Sequence, residues 1–284
     1  MEKYEKTIIP FIESIYSNFT SLEKTIADFF INNKEAVDFS SKNISRLLFV
    51  SEASLSRFAK KCGFAGYREF IFRYQEDFEK APSLPVSDDS TRQVLDTYQE
   101  LLNKSYSLVD EQQIARIVGI FSTKKRVYIY GRGSSGFVGM EMKLRFMRLG
   151  VNVEAITDSH IMKMNSVLLN EDCAVIGISV SGQTEEVMVS LRDAYKQGAF
   201  TILITSQKNT SYQEFCDEVL LCAVKEYLNY GKAISPQFPL LVMADILYAH
   251  FLRSDQLRKE ALHQYTLGVL SLPKNSIDSV KKGD

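Results

Sequence analysis

From Arg126 onward one pattern recurs: a short apolar, β-branched run, a loop rich in glycine or serine, and then a helical period. Val127 to Tyr130, Ala174 to Ile178 and Phe200 to Thr205 are the clearest runs. Val151 to Ala155 and Glu218 to Leu221 bring the expected strands to about five. Strands that alternate with helices need long crossovers, and those connect parallel neighbours whose two faces are both covered. An α/β unit built on a parallel sheet, with helices on both faces, is therefore expected for this half.

The first eighty residues have a different texture, dominated by apolar residues at helical spacing. Thr20-Ser21-Leu22-Glu23 reads as a capping box that opens a helix with Leu22, Ile26, Phe29 and Phe30 on its buried face. An all-α domain is expected here. It ends in Ala81 to Ser90, which holds two of the six prolines and no apolar period. Val94, Tyr98, Leu101 and Leu102 then mark one amphipathic helix, and Ile114, Ile117, Val118 and Phe121 a second, opened by Asp110. The expected division is residues 1–78, a linker at 79–92, a second domain at 93–254 and a tail at 255–284.

Composition excludes several classes of protein. Hydrophobic residues at 45% and charged ones at 24% fit neither a disordered nor a fibrous chain. The uncharged runs Ala233 to Ala244 and Cys173 to Thr184 stop well short of the ~20 residues that span a bilayer. Glu2, Lys3, Glu5, Lys6 and Glu13 break up any secretory leader, so the cytoplasm is the expected compartment, with no membrane partner. Cys62, Cys173, Cys216 and Cys222 lack CxxC spacing, and only His160, His250 and His263 represent histidine. No metal site and no cofactor are expected.

Net charge is −1, but it is unevenly spread. Between Ser41 and Arg73, Lys42, Arg46, Arg57, Lys60, Lys61, Arg68 and Arg73 face only Glu52 and Glu69, a local excess of +5. This stretch also fits the geometry of a helix-turn-helix. With Ser41 as the first position, the inward sites fall on Ile44, Leu48, Val50, Leu55 and Phe58, and the close-approach site on Ser45. Ser51 caps the second helix, whose outer face carries Glu52, Ala53, Ser56, Arg57 and Lys60, with Ser54 and Lys61 at the flanks. These are the candidate DNA-binding residues, since phosphates need cations and base edges need short hydrogen-bonding side chains. Phe49 occupies the turn position that often holds glycine. The competing reading is a helical hairpin with a solvated basic face.

The run Val50-Ser51-Glu52-Ala53-Ser54-Leu55-Ser56-Arg57-Phe58-Ala59-Lys60-Lys61-Cys62-Gly63-Phe64-Ala65-Gly66-Tyr67 closely resembles the N-terminal domain of the RpiR family of bacterial transcriptional regulators. The likeness covers residues 1 to about 77. It implies a DNA-binding head.

Two loops carry the chemistry of the second domain. Gly131-Arg132-Gly133-Ser134-Ser135-Gly136 follows the first strand and precedes a helix expected at Phe137 to Leu149. Glycines there let the backbone approach an anion, and amides and hydroxyls donate to it. The loop also reads GxGxxG, with Glu154 downstream where a ribose hydroxyl would need it, so a dinucleotide enzyme competes. Ser179-Val180-Ser181-Gly182-Gln183-Thr184 is a second hydroxyl-rich cradle, for which dinucleotide binding gives no reason and a phosphomonoester does.

The pair resembles the sugar isomerase (SIS) domain, a flavodoxin-like phosphosugar-binding fold, over residues 110 to 254. The resemblance implies that Ser135, Ser179, Ser181 and Thr184 hold phosphate, with Ser134, Gly182 and Gln183 beside them. Sugar-6-phosphate isomerases commonly read SQSGET in the second loop; Val180 and Gln183 depart from that here. His160, in Asp158-Ser159-His160, is a candidate for a sugar hydroxyl or for a helix cap. His250 reads as structural.

Head and pocket together imply a regulator that senses a sugar phosphate, not an enzyme. The alternative is a phosphosugar isomerase with an accessory helical domain. Partners expected are double-stranded DNA, a palindromic operator, and a second copy in a homodimer or homotetramer. Thr91 to Phe121 and Pro236 to Leu252 are the surfaces expected to meet that copy.

Overall fold

The computed structural model describes residues 7–33, 35–80, 90–224 and 234–271. Local capping sets most of the helix starts in the head, which comprises α1 (Ile9–Ser14), a 3-10 turn (Tyr16–Asn18), α2 (Ser21–Asn32), α3 (Ser41–Leu47), α4 (Glu52–Lys61) and α5 (Tyr67–Lys80). The capping box forms as expected: the Glu23 amide donates to Thr20 Oγ1, and the Thr20 amide donates to the Glu23 carboxylate at 2.8 Å. Ser40 and Ser51 cap α3 and α4 through the amides of Asn43 and Ser54.

An aromatic cluster closes the head. The Phe30 ring lies 4.8 Å from Phe70 and 4.9 Å from Tyr74, both edge-on, and Ile26, Ile44, Leu55 and Phe58 are buried around it. Edge-to-face geometry suits the ring quadrupoles. The expected inner face of α2 is only partly correct: Phe29 is half-buried and Leu22 is exposed, because Ile26, Ala27 and Phe30 make the inward stripe. Leu48 and Val50 are half-buried and pack against this cluster from its edge, as inward positions should.

Residues 81–89 of the expected linker lie outside the described residues, while its flanks belong to helices α5 and α6 (Ser90–Leu108). Then follow α7 (Glu111–Thr123), capped by Asp110, β1 (Arg126–Gly131), α8 (Gly133–Met147), β2 (Val153–Ile156), α9 (Ser159–Ser166), β3 (Cys173–Ile178) and α10 (Glu185–Lys196). The chain closes with β4 (Phe200–Thr205), a 3-10 turn (Thr210–Glu214), β5 (Glu218–Leu221), α11 (Phe238–Ser254) and α12 (Gln256–Ser271).

All strand pairs are parallel, in the order β2-β1-β3-β4-β5. That is the flavodoxin-like order, not the order typical of dinucleotide folds. Alternate residues serve opposite layers. Val127 and Ile129 face the core shared with Phe146, Met243 and Phe251, and Tyr128 and Tyr130 face the core shared with Met162, Val187 and Leu191.

Two expectations need correction. The apolar faces of α6, α7 and α11 are consumed within the chain: Leu101, Ile114, Ile117, Met243 and Leu247 are buried in it, so they offer little to a second copy. Leu95 and Tyr106 of α6 stay exposed, and exposed apolar side chains are grouped on α8 (Phe137, Met140, Leu144) and α9 (Ile161, Met164, Leu168). The expected tail is helical through Ser271; Lys259 of α12 donates to the Phe251 carbonyl at 2.7 Å and so staples α12 to the end of α11.

Head and second domain meet through α1 and α6. Lys104, whose side chain is 10% exposed, donates to Glu13 Oε1 at 2.7 Å, to Glu100 Oε1 at 2.9 Å and to the Val224 carbonyl at 3.4 Å. Burial favours the neutral amine, but the carboxylates of Glu13 and Glu100 outweigh it and hold the Lys104 pKa above its ordinary value. His250 Nε2 of α11 stands 3.3 Å from the Glu111 carboxylate at the start of α7. Among the described residues no helix is long and apolar enough to cross a membrane, and no cluster of three metal-ligating side chains occurs.

Phe49, between α3 and α4, has φ +54° and is 96% exposed. A left-handed backbone costs an L-residue roughly 1–2 kcal/mol, which glycine avoids, and an exposed ring returns nothing in packing. Phe49→Gly should therefore stabilise the head by about 1 kcal/mol, read as a higher urea midpoint; an unchanged or lower midpoint would show that the ring has a partner.

Candidate functional site

Parallel register brings the two loops together. Gly131 pairs with Ile178 at the ends of β1 and β3, so Arg132 and Ser179 leave adjacent strands at the same carboxyl edge. In this strand order the direction of strand addition switches between β1 and β3, and ligands of open α/β sheets bind at that crevice.

The first cradle is tighter than its glycines suggested. Helix α8 begins at Gly133, not Phe137, so Ser134 and Ser135 lie in its first turn; the Ser135 amide already donates to the Arg132 carbonyl at 3.1 Å, which leaves the amides of Gly133 and Ser134 at the helix start. Gly133 supplies φ +52° for the turn. A Cβ on Gly131 would stand 2.9 Å from the Ser135 carbonyl group, so strand end and helix start cross in contact. Neither α8 nor α10 has a side-chain cap, whereas Asp110 and Asp158 cap α7 and α9. The two helices that open at the crevice thus present bare amide ends.

In the second cradle Ser179 is 1% exposed and its hydroxyl donates to Thr184 Oγ1 at 2.9 Å. The Thr184 amide donates back to Ser179 Oγ, and Ser181 Oγ accepts from the Gln183 amide at 3.2 Å. Ser181 and Gln183 are exposed, Thr184 and Ser135 are half-buried, and Gly182 is buried. The loop is anchored from below. Gly182 takes φ +65°, with the Tyr212 hydroxyl 2.0 Å from where a Cβ would stand, and that hydroxyl donates to the Gly182 carbonyl at 3.3 Å.

His160 is exposed in the first turn of α9, at the carboxyl end of β2. It is not the cap. Asp158 is: its Oδ1 accepts from the amides of His160 and Ile161, and these bonds, Ile161's foremost, hold its carboxyl below the usual range. Arg132 went unassigned in the sequence. Its guanidinium stands 3.7 Å from Glu186 of α10 and so links the two loops' helices; a cation flanked by GxGSS was the available signal. Glu154, the residue that dinucleotide binding would need, sits inside β2 paired with Lys143 at 2.6 Å. Cys62, Cys216 and Cys222 are buried free thiols, pushed up to about 12 by that burial and inert at neutral pH.

On the head, Ser51, Glu52, Ala53, Arg57 and Lys60 are exposed and Ser56 is half-buried along α4. Two flanking candidates are engaged elsewhere. Ser54 is buried, with its hydroxyl held between Ser51 Oγ at 2.8 Å and the Arg57 guanidinium at 3.1 Å. Lys61 donates to the Asn18 carbonyl and pairs with Glu23, each at 2.7 Å, so its ammonium points back into the head. Glu52 accepts from the Ser41 hydroxyl and ties α3 to α4.

A family model described as the helix-turn-helix domain of the rpiR family matches residues 6–81, and a SIS domain model matches residues 120–243. The chain thus joins a segment that matches the rpiR-family helix-turn-helix domain to one that matches the SIS domain. An uncharacterized HTH-type transcriptional regulator of Haemophilus influenzae is 28% identical over 91% of this chain and 94% of its own. One of Clostridium perfringens is 24% identical over 82% and 88%. Among solved structures, the Vibrio vulnificus NanR protein complexed with ManNAc-6P shares the fold over 94% of this chain and all of that one, with TM-score 0.61 and 22% identity. The sugar isomerase domain of an RpiR transcription factor from Sphaerobacter thermophilus covers 62% of this chain and 97% of its own, at TM-score 0.56 and 20% identity. The RpiR head thus carries α1 to α5, and the SIS match spans the sheet with both cradles.

Proposed function

We propose that this chain is an RpiR-family transcriptional regulator whose SIS domain binds a phosphorylated sugar and thereby alters how the head holds its operator. The observation that carries this reading is the pairing, in one chain, of a capped basic helix-turn-helix with two hydroxyl-bearing, uncapped helix starts at one sheet edge. A phosphate there meets the bare amide ends of α8 and α10 and the hydroxyls of Ser134, Ser135, Ser181 and Thr184, with Ser179 and Gly182 shaping the loop beneath it. Gln183 and His160 are placed to meet the sugar. The fold shared with NanR, which was solved with ManNAc-6P, supports a sugar phosphate as the effector class.

Binding without turnover is the favoured mode. An isomerase needs an acid and a base on the sugar, and Asp158 is committed to capping α9 with a lowered pKa. A coupled assay on hexose and pentose phosphates checks this: turnover would restore the isomerase reading.

On DNA, Arg57 and Lys60 supply the cations, Ser56, Ala53, Glu52 and Ser51 meet the groove, and Ser54 and Lys61 act from within the head. Two heads related by a dyad would read a palindrome, so a homodimer or homotetramer is the acting form. The copies are proposed to meet through the exposed apolar stripes of α8 and α9. Met140→Glu should then shift the protein toward monomer in sedimentation velocity; an unchanged assembly would remove α8 from the interface.

Arg57→Ala should weaken operator binding by about 1–3 kcal/mol while leaving thermal stability and effector binding near wild type; equal affinity in a gel-shift titration at fixed salt would count against the face assigned here. Ser181→Ala and Ser135→Ala should each weaken effector binding about ten-fold, as the loss of a charge-assisted hydrogen bond does. Their double variant should show coupling, since one anion is shared. Calorimetry across a panel of sugar phosphates reads this, and wild-type affinity in both single variants would leave the cradles as plain helix starts.

A further inference from the structure

A continuous set of contacts runs from the second cradle to the end of the DNA-reading helix. It begins at Val180, whose carbonyl accepts from Thr205 Oγ1 at 3.1 Å, the Ser206 amide at 2.9 Å and Ser206 Oγ at 2.8 Å. A carbonyl has two lone pairs, so these three donors share one oxygen and tie it to the Thr205–Ser206 segment. Two residues beyond Ser206, Lys208 lies on the head. Its amide donates to the Ser14 carbonyl at 2.6 Å, its carbonyl accepts from Asn18 Nδ2 at 2.8 Å, and its ammonium stands 4.6 Å from the centre of the Phe11 ring. The Asn18 carbonyl in turn accepts from Lys61, the last residue of α4.

We propose that residues 206–208 form a strap through which anion occupancy of the second cradle is transmitted to α4. The proposal deepens the reading of that cradle as a phosphate site and rests on it. The physical reason lies in the bonds an anion would have to replace. Ser179 Oγ is given to Thr184, and Ser181 Oγ to the Gln183 amide. An arriving phosphate competes for these groups on both sides of Val180, and so reorders the peptide on which the strap hangs. Ordering the loop fixes Val180, fixed Val180 holds Ser206, and Lys208 then holds the 3-10 turn and α1 more firmly. A ligand shifts such an equilibrium only by binding one arrangement better than the other, and a chain of contacts transmits only if both of its ends bias it. Both ends are therefore measured.

Hydrogen–deuterium exchange of the full chain, with inorganic phosphate as the probe and potassium chloride at matched ionic strength as the control, provides the test. In wild type, phosphate should slow exchange in the Ser179–Thr184 loop and, by at least about two-fold, in Phe11 to Phe19. Asn18→Ala removes the donor to the Lys208 carbonyl and Lys208→Pro removes the amide that donates to Ser14, both outside the cradle. Each should keep the loop response and lose much of the head response, and the double variant should lose more than half of it. Three results overturn the strap: a protected loop with an unchanged or faster head in wild type, a head response equal to wild type in the double variant, or no response in the loop. The last result removes the phosphate reading and the strap with it, whereas the first two leave the phosphate reading standing.

Discussion

The parallel register of β1 and β3 is the constraint on which the rest depends. Both strands are buried on both faces, apart from the first residue of β1, so neither can slip without carrying Val127, Ile129, Val175 or Ile176 into the wrong layer. With register set, Gly131 and Ile178 end side by side, and whatever follows them shares one crevice. The serines share one edge because the cores above and below the sheet allow only one alignment. Recognition chemistry at this edge is thus underwritten by methyl groups far from any ligand.

The same logic explains why the sheet was legible in the sequence and the outer helices less so. A strand buried on both faces is an unbroken apolar run, and Cys173 to Ile178 reads as one; a cap such as Thr20, Ser51 or Asp110 acts within three residues of itself. Local signals of this kind survive in a linear sequence. The start of α8 did not, because Gly133-Ser134-Ser135-Gly136 has loop composition while its backbone is already helical. The orientation of Lys61 was also hidden, since Asn18 and Glu23 lie far away along the chain and only the fold brings them to α4. The inward turn of Ser54 followed from Ser51 beside it, but one periodic reading of the helix placed it at the flank. Whether an apolar face meets its own chain or a second copy has no local signature at all. The amphipathic spacing of α7 and α11 therefore fits a subunit interface as well as the core that their buried residues line.

The head shows how neighbouring side chains fix the geometry of the proposed reading helix. Ser54 orients the Arg57 guanidinium, Glu52 joins the two helices of the motif through Ser41, and Lys61 anchors the far end of α4. Arg57 and Lys60 are left projecting from a helix fixed at both ends. Pre-set side chains lose less freedom on binding than free ones do.

Lys104 lies between two carboxylates that belong to different parts of the molecule: Glu13 is on the head, while Glu100 sits one turn away on its own helix. An ammonium stripped of its only partner in a dry interface is costly to leave behind, and that cost would normally weld the two domains together. Here the lysine always retains a neighbour. If Glu13 leaves, Glu100 remains and the opened side admits water, so the joint can part and re-form without ever stranding a charge. Two carboxylates, one on each side, would make such a joint cheaper to open than a lone buried ion pair.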